Sequence, residues 1–352
     1  MTERELVALD DLFMYPRKPR LRELGTVQRY AELEQEMLDT WGTSKEDIDN
    51  HQVYVKKHND ISTYFAVIGQ SSAGRNMYCL RTAPEKSKGK VMIVSGHHGE
   101  EKAGPLAAMK LIEEILNPEM PALETLLSNF DVMIIPCIDP DGFDAGIKLF
   151  YSDGEGRYWP RNDDTKYGDI NSTWGRKYEK GIPKEVRTVR ELMQTFFESL
   201  EDRTNGAVFD LHETVMAQAG SNIPGWVAGY SMTEGLGPLL IESTEDRELG
   251  ADMVANLKHT KRKGLPYNRR TRAFFNKLPL LSQVKIIGEG RSTEGELFTE
   301  TTLTVCTRYA NQTHGVHGVT TETFLNPLDE RVVQQMLLVE GGLKYMLKKI
   351  MP

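Results

Sequence analysis

The chain has 352 residues, 43 Lys plus Arg against 51 Asp plus Glu, and 39% apolar residues, the composition of an ordinary acidic globular protein. A formal charge of −8 disfavours binding to a polyanion, so nucleic acid is not an expected partner. Three scattered cysteines, an opening without a signal-peptide core, and no run of roughly 18 apolar residues exclude a disulfide framework and a membrane span and point to the cytoplasm.

The first 60 residues are polar, and a partly helical N-terminal extension is expected there. Its helix covers about Val27 to Trp41, with Tyr30, Leu33 and Leu38 as apolar positions. From residue 61 onward the pattern reads as one domain. YFAVIG and NMYCLR are strand-like runs flanking QSSAGR, where Gly74 suits a hairpin connection. KVMIVS (90–95) is a short buried-strand pattern followed by the loop GHHGEEKAG and a helix from Pro105 to Leu116. DVMIIP (131–136) repeats that strand pattern and ends in the turn Asp139-Pro140-Asp141-Gly142. Pro183 opens a helix whose Val186, Val189, Met193, Phe196 and Leu200 form one stripe. Strands follow at AVFDL (207–211) and GVTTETF (318–324), and Asn326 and Pro327 begin an amphipathic helix to about Ile350. Strands alternating with helices predict an α/β fold: a mixed, mostly parallel central sheet with helices on both faces. Ligands in such sheets bind at the carboxyl ends of the strands, which is where GHHGEE, IDPDG, DLHE and TTETF fall.

SGHHGEE contains two overlapping His-x-x-Glu pairs, His97 with Glu100 and His98 with Glu101. Either could turn toward one cation, and zinc suits His and Glu; a catalytic zinc takes three protein ligands and keeps a place for water. His212, ending AVFDLHE at the same sheet edge, is the candidate third ligand. Glu322 lies in the Thr-rich strand TTETF, where an acid needs a reason to be. It is the candidate group to take a proton from the metal-bound water and pass it to a leaving amine.

The order Ile68-Gly69-x-Ser71-x-x-Gly74-Arg75, GHHGEE, Pro136 to Gly142, GDIN (168–171), DLH (210–212) and TTETF (320–324) resembles the zinc carboxypeptidases of the carboxypeptidase A type over about residues 60–350. That family places Gly directly after its first histidine ligand, so the resemblance selects His98, Glu101 and His212 as ligands of one zinc ion and makes His97 and Glu100 their neighbours. It also implies Glu322 as catalytic base, Arg161 of RYWPRND as the carbonyl-polarising arginine with Arg157 as substitute, and Asn171 as a contact to the substrate's terminal carboxylate. Residues 61–352 would be the catalytic domain.

At the next position the family carries an arginine that clamps the C-terminal carboxylate, and this chain has Ser172. Tyr309 is the stand-in for the tyrosine that closes the family's pocket. The basic run Lys258 to Arg272 reads first as a solvated loop and second as a wall that binds carboxylate or phosphate. Together with Arg308 it is the nearest source of a replacement cation. His314 and His317 are candidates for pocket lining rather than ligands. The expected function is a zinc-dependent amide or peptide hydrolase acting on a peptide. The alternatives are an N-acyl-amino acid deacylase, as in the related aspartoacylase and succinylglutamate desuccinylase branch, and a zinc-binding interaction protein without catalysis.

Overall fold

The computed structural model describes residues 29–51, 53–58, 61–118, 121–146, 149–152, 157–160, 170–175, 182–213, 239–241, 247–259, 284–286, 305–323 and 328–351. In chain order the helices are α1 (Tyr30–Trp41), α2 (Lys45–His51), α3 (Ala103–Leu116), α4 (Pro121–Asn129), α5 (Pro140–Ala145), α6 (Lys184–Glu198), α7 (Arg247–His259), α8 (Cys306–His314) and α9 (Leu328–Ile350). The strands are β1 (Val53–His58), β2 (Ile61–Gln70), β3 (Asn76–Pro84), β4 (Gly89–Ser95), β5 (Phe130–Ile135), β6 (Leu149–Ser152), β7 (Arg157–Pro160), β8 (Gly206–Glu213), β9 (Leu239–Ile241), β10 (Val284–Ile286) and β11 (His317–Thr323).

Nine of these strands form one mixed sheet in the order β1-β2-β3-β5-β4-β8-β11-β9-β10, and β6 and β7 pair separately. Its centre, β5-β4-β8-β11, is parallel throughout. The β1-β2-β3 meander joins that centre antiparallel through β3. Parallel neighbours need a covered crossover, and the strands at the centre read as continuous apolar runs because both faces are buried. Alternate residues part to the two faces. Val91 and Ile93 of β4 join a core built with α1, α3, α4, α7 and α9, while Met92 and Val94 join one built with α6 and α8. The predicted α/β architecture with helices on both faces is borne out.

α1 buries Tyr30, Leu33, Met37, Leu38 and Trp41, and Trp41 stacks on Phe65 of β2 at 5.2 Å. The described part of the N-terminal 60 residues therefore lies against the same core, and β1 is an edge of the same sheet. Val27, Gln28, Asn326 and Pro327 lie outside the described residues. The turn expected at 139–142 continues as the short helix α5, because Asp139 accepts the Gly142 N–H at 2.8 Å in the manner of an N-cap. α4 was not anticipated: its buried Ala122, Leu123, Leu126 and Leu127 occupy only two turns. All three cysteines are buried thiols. No helix among the described residues is long and apolar enough to cross a membrane.

Two of the motifs meet in space. Asp141 of the DPDG turn accepts from Ser71 Oγ at 2.8 Å, Arg75 Nη1 at 2.6 Å and the Ala73 N–H at 3.0 Å. One buried carboxylate thus fixes the β2–β3 hairpin turn against the end of β5, a fold role that explains why both short sequences contain polar residues.

Candidate metal centre

The site lies at the carboxyl ends of β4, β8 and β11. β4 leaves the sheet through Gly96, whose φ of +72° is reserved for glycine and whose absent side chain would stand 2.9 Å from Cys137 Cα. This bend delivers His97 and His98 side by side. Glu101 follows one turn later at the entrance to α3. That helix is pressed onto β8 at Gly104, where a Cβ would meet the Leu211 carbonyl oxygen at 2.5 Å. His212 stands on β8 on the face shared with Val208 and Asp210.

His98, Glu101 and His212 are buried, and one ligand atom from each lies within 4.8 Å of the others. Both rings turn Nδ1 to the same carboxylate: His98 Nδ1 is 2.7 Å from Glu101 Oε1, and His212 Nδ1 is 2.8 Å from Oε2. Oε2 also accepts the Glu213 N–H at 3.1 Å. Behind the ring, His212 Nε2 lies 3.0 Å from Asp210 Oδ2. Burial opposes a charge on His212, but Asp210 and Glu101 on its two sides outweigh it and hold the ring's pKa well above the usual imidazole value. Burial likewise opposes charge on Asp210, yet His212 and His97 keep its carboxyl well below the usual carboxylate range. An imidazole between two carboxylates marks a place for positive charge. Two ring nitrogens and one carboxylate converging at one buried place are a donor set that fits zinc. The residues present therefore fit the ion.

His97 is not part of this trio. Its Nδ1 lies 3.1 Å from Asp210 Oδ1, Trp174 Nε1 donates to its Nε2 at 3.1 Å, and its ring stacks on that of His212 at 5.2 Å. Burial lowers its pKa even against the pull of Asp210. Of the two overlapping pairs, the structure converges His98 and Glu101 with His212.

Glu322 is placed by the register of its strand: β11 runs parallel to β8 with Glu322 opposite His212. α9 fixes that register through Gln335, which is fully buried. Gln335 Nε2 donates to the His212 carbonyl at 2.6 Å and to Thr323 Oγ1 at 3.2 Å, and its Oε1 accepts from Thr321 Oγ1. One side chain thus bonds the strand of the candidate ligand and both neighbours of Glu322.

Asn171 also enters the site. Its Nδ2 is 3.2 Å from His212 Nε2, and its Oδ1 accepts the Cys306 N–H at 3.1 Å. Ser172 is the next residue of the same short 3-10 turn. Tyr309 stands apart from the trio on α8, its ring against Trp174 at 5.8 Å and His314 at 5.7 Å, with the Arg190 guanidinium 4.6 Å above it. Arg308 lies half-buried in the first turn of α8. Arg161 and residues 260–272 of the basic run lie outside the described residues, and Arg157 is placed only as the first residue of β7.

The expectation that His314 and His317 line the pocket is overturned. His317 begins β11, five residues and about 16 Å from Glu322 at roughly 3.3 Å per residue. Its Nε2 contacts the Thr204 carbonyl at 3.1 Å. His314 ends α8 against Phe197. Adjacency in sequence misled because the intervening strand carries the chain from one sheet edge to the other.

Sequence reasoning missed Asp210, Trp174 and Gln335. Asp210 had a signal, a carboxylate inside the apolar strand AVFDL. Trp174 and Gln335 reach the site from 77 and 123 positions away from their partners and had none.

Residues 51–205 match the zinc carboxypeptidase family. The match takes in His98 and Glu101 and stops before His212 and Glu322. A stretch of 105 residues is 30% identical to carboxypeptidase M of Mus musculus, covering 27% of this chain and 24% of that protein, so the matched segment spans about a quarter of the relative's length. The fold is similar to that of a metallo-carboxypeptidase from Burkholderia cenocepacia, with a TM-score of 0.50 and 14% identity over 81% of this chain and 64% of the other. It is also similar to that of bovine thrombin-activatable fibrinolysis inhibitor in complex with tick carboxypeptidase inhibitor, with a TM-score of 0.52 and 13% identity over 92% and 97% of the two chains. At these identities the structural likeness carries the fold, and the family resemblance read from the motifs is borne out.

Proposed function

From a zinc carboxypeptidase fold whose residues 51–205 match that family, we propose that this protein is a zinc-dependent hydrolase of amide or peptide bonds, carboxypeptidase-like in its chemistry and atypical in how it recognises the substrate's end. The observation that carries the reading is the convergence of His98, Glu101 and His212, three buried donors, opposite Glu322 in the parallel register of β8 and β11. One zinc ion held by the three donors would lower the pKa of water toward neutrality. Glu101 faces the Nδ1 edge of both rings, which gathers the three donors at one place. Glu322 takes a proton from the attacking water and delivers it to the leaving nitrogen, the work of a general base that then acts as acid. Arg161 or Arg157 supplies positive charge for the developing oxyanion.

Recognition is where this chain differs. Ser172 stands beside Asn171, whose amide nitrogen lies 3.2 Å from His212 Nε2 and whose oxygen accepts the Cys306 N–H, and a hydroxyl cannot reproduce a guanidinium fork on a carboxylate. A substrate with a neutral or modified end, including an N-acyl-amino acid, is favoured by that replacement unless Arg308 or the basic run provides the cation. Zinc content by elemental analysis and hydrolysis of a free-acid peptide beside its C-terminal amide test the reading. The expected result is near-stoichiometric zinc and cleavage without strong preference for the free acid. A zinc-free or inactive chain would sink the hydrolase. A strong free-acid preference that survives neutral substitutions at Arg308 and across 258–272 would sink the account of recognition.

A further inference from the structure

We propose that His97, itself held by Trp174, is a positioning residue for the metal centre: acting through Asp210, it fixes which ring nitrogen His212 turns to the ion. The inference rests on the reading of His98, Glu101 and His212 as ligands and adds how one of them is prepared.

Four buried side chains lie in series. Trp174 Nε1 is 3.1 Å from His97 Nε2, His97 Nδ1 is 3.1 Å from Asp210 Oδ1, and Asp210 Oδ2 is 3.0 Å from His212 Nε2. The donor rules for these groups allow one consistent assignment of protons. An indole N–H can only donate, so His97 Nε2 offers its lone pair, and the neutral ring carries its proton on Nδ1. That proton faces Asp210 Oδ1, and neither atom has another hydrogen-bond partner among the described residues. A carboxylate can only accept, so Asp210 Oδ2 draws the proton of His212 to Nε2. The lone pair of His212 is thereby left on Nδ1, the nitrogen that faces Glu101 together with His98 Nδ1. A metal binds the lone pair, and the partner of the other nitrogen sets which one is available.

Two rival arrangements are weaker. Asn171 Nδ2 approaches His212 Nε2 at 3.2 Å and would prefer a lone pair there. Asp210 is nearer and charged, and a charge-assisted hydrogen bond is roughly twice as strong as a neutral one, so Nε2–H prevails. The second rival makes His97, Asp210 and Cys306, whose donor atoms also lie within 4.8 Å of one another, a second metal centre. Trp174 rules against it, because its N–H occupies one nitrogen of His97 and puts a proton on the other.

The test is zinc affinity of the full-length chain by chelator competition, with melting of the metal-free proteins to confirm folding and ¹⁵N shifts of the histidines in the zinc-loaded wild type. His97→Leu is expected to weaken zinc binding on the order of 10- to 100-fold, the usual cost of losing a partner behind a ligand. His97→Asn, whose amide keeps an N–H near the Nδ1 position, is expected to recover most of that loss, and His212 is expected to carry its proton on Nε2. If His97→Leu does not fold, Trp174→Phe takes its place, with a several-fold loss expected. Unchanged affinity in a folded variant, or zinc on His212 Nε2, would overturn the positioning role alone. A wild-type chain that binds no zinc would overturn the ligand reading and this inference with it.

Discussion

Of the neighbouring parallel strands, β8 carries a histidine near its carboxyl end and β11 one at its amino end, and the two ends behave differently. At the carboxyl end, His212 lies between Glu101 and Asp210, with His98 turned to the same Glu101. At the amino end, His317 meets the Thr204 carbonyl and Lys349 Nζ at 3.3 Å, and His314 packs on Phe197 and Tyr309. Residue type does not separate them; surrounding charge does. Carboxylates that face imidazole make a site for a cation, whereas a lysine or arginine beside the ring repels one. In sheets of this class ligands bind beyond the carboxyl ends of the strands; at the amino ends Lys349 of α9 donates to the Thr204 carbonyl of the turn at Arg203–Asn205.

The largest effect should come from breaking the acidic end. His98→Ala or His212→Ala should remove most bound zinc and essentially all hydrolysis together, since a three-ligand site that loses one ligand holds the ion poorly. His317→Ala should leave both within about twofold. Zinc retention by elemental analysis in the first pair, or zinc loss in the third variant, would erase the contrast.

Next in size is the separation of binding from chemistry. Glu322→Gln should retain zinc and fold while kcat falls on the order of 10²- to 10⁴-fold. Near wild-type turnover would remove Glu322 from the mechanism, whatever the metal does.

Much of the acidic end is legible in the amino-acid sequence. The parallel centre announces itself in KVMIVS, DVMIIP and AVFDL because strands buried on both faces have no polar alternation to obscure them. His98, Glu101 and His212 stand out because short motifs with fixed spacing carry them. The machinery behind these residues does not, for physical reasons. Gln335 sits among Val332, Val333, Met336 and Leu337, where a glutamine reads as a defect in an apolar stripe until its partners on two strands are visible. Trp174 reads as core until its one polar atom is seen to aim at His97. Long-range hydrogen bonds of this kind leave no period in the sequence. His317 fails in the opposite sense: nearness along the chain stands in for nearness in space.

Gln335 allows a subtler break of the acidic end. Gln335→Leu would take the buried partner from the His212 carbonyl and Thr323 and leave Thr321 only its 3.4 Å contact to the Asp210 carbonyl, at a cost of about 1–3 kcal/mol per unsatisfied group before relaxation. Chemical denaturation should show a loss in that range. Zinc content should be nearly unchanged, and kcat should fall more than KM rises, because the register of Glu322 against His212 loosens while the ligands stay. A variant that lost stability with kcat intact would make Gln335 a fold residue only.

The smallest expected effect tests the other end. His314 closes the last turn of α8, where the helix dipole favours a cation, yet burial first and Arg203 second lower its pKa below the ordinary value. Its Nε2 has no hydrogen-bond partner among the described residues, so nothing compensates a charge there. The folded chain therefore keeps His314 neutral in a window where the unfolded chain protonates it. Across that window the unfolded state binds more protons, so stability falls as the pH drops below the unfolded value near 6.5, and above it the group contributes no slope. One proton limits the slope to about 1.4 kcal/mol per pH unit. Other groups titrate in acid too, so the measurement is a difference: denaturation of wild type and His314→Phe between pH 7 and 5, with the wild type losing more. Parallel curves would mean that His314 titrates freely, and the amino end would then lack the cation-repelling character that sets it apart from the candidate metal centre.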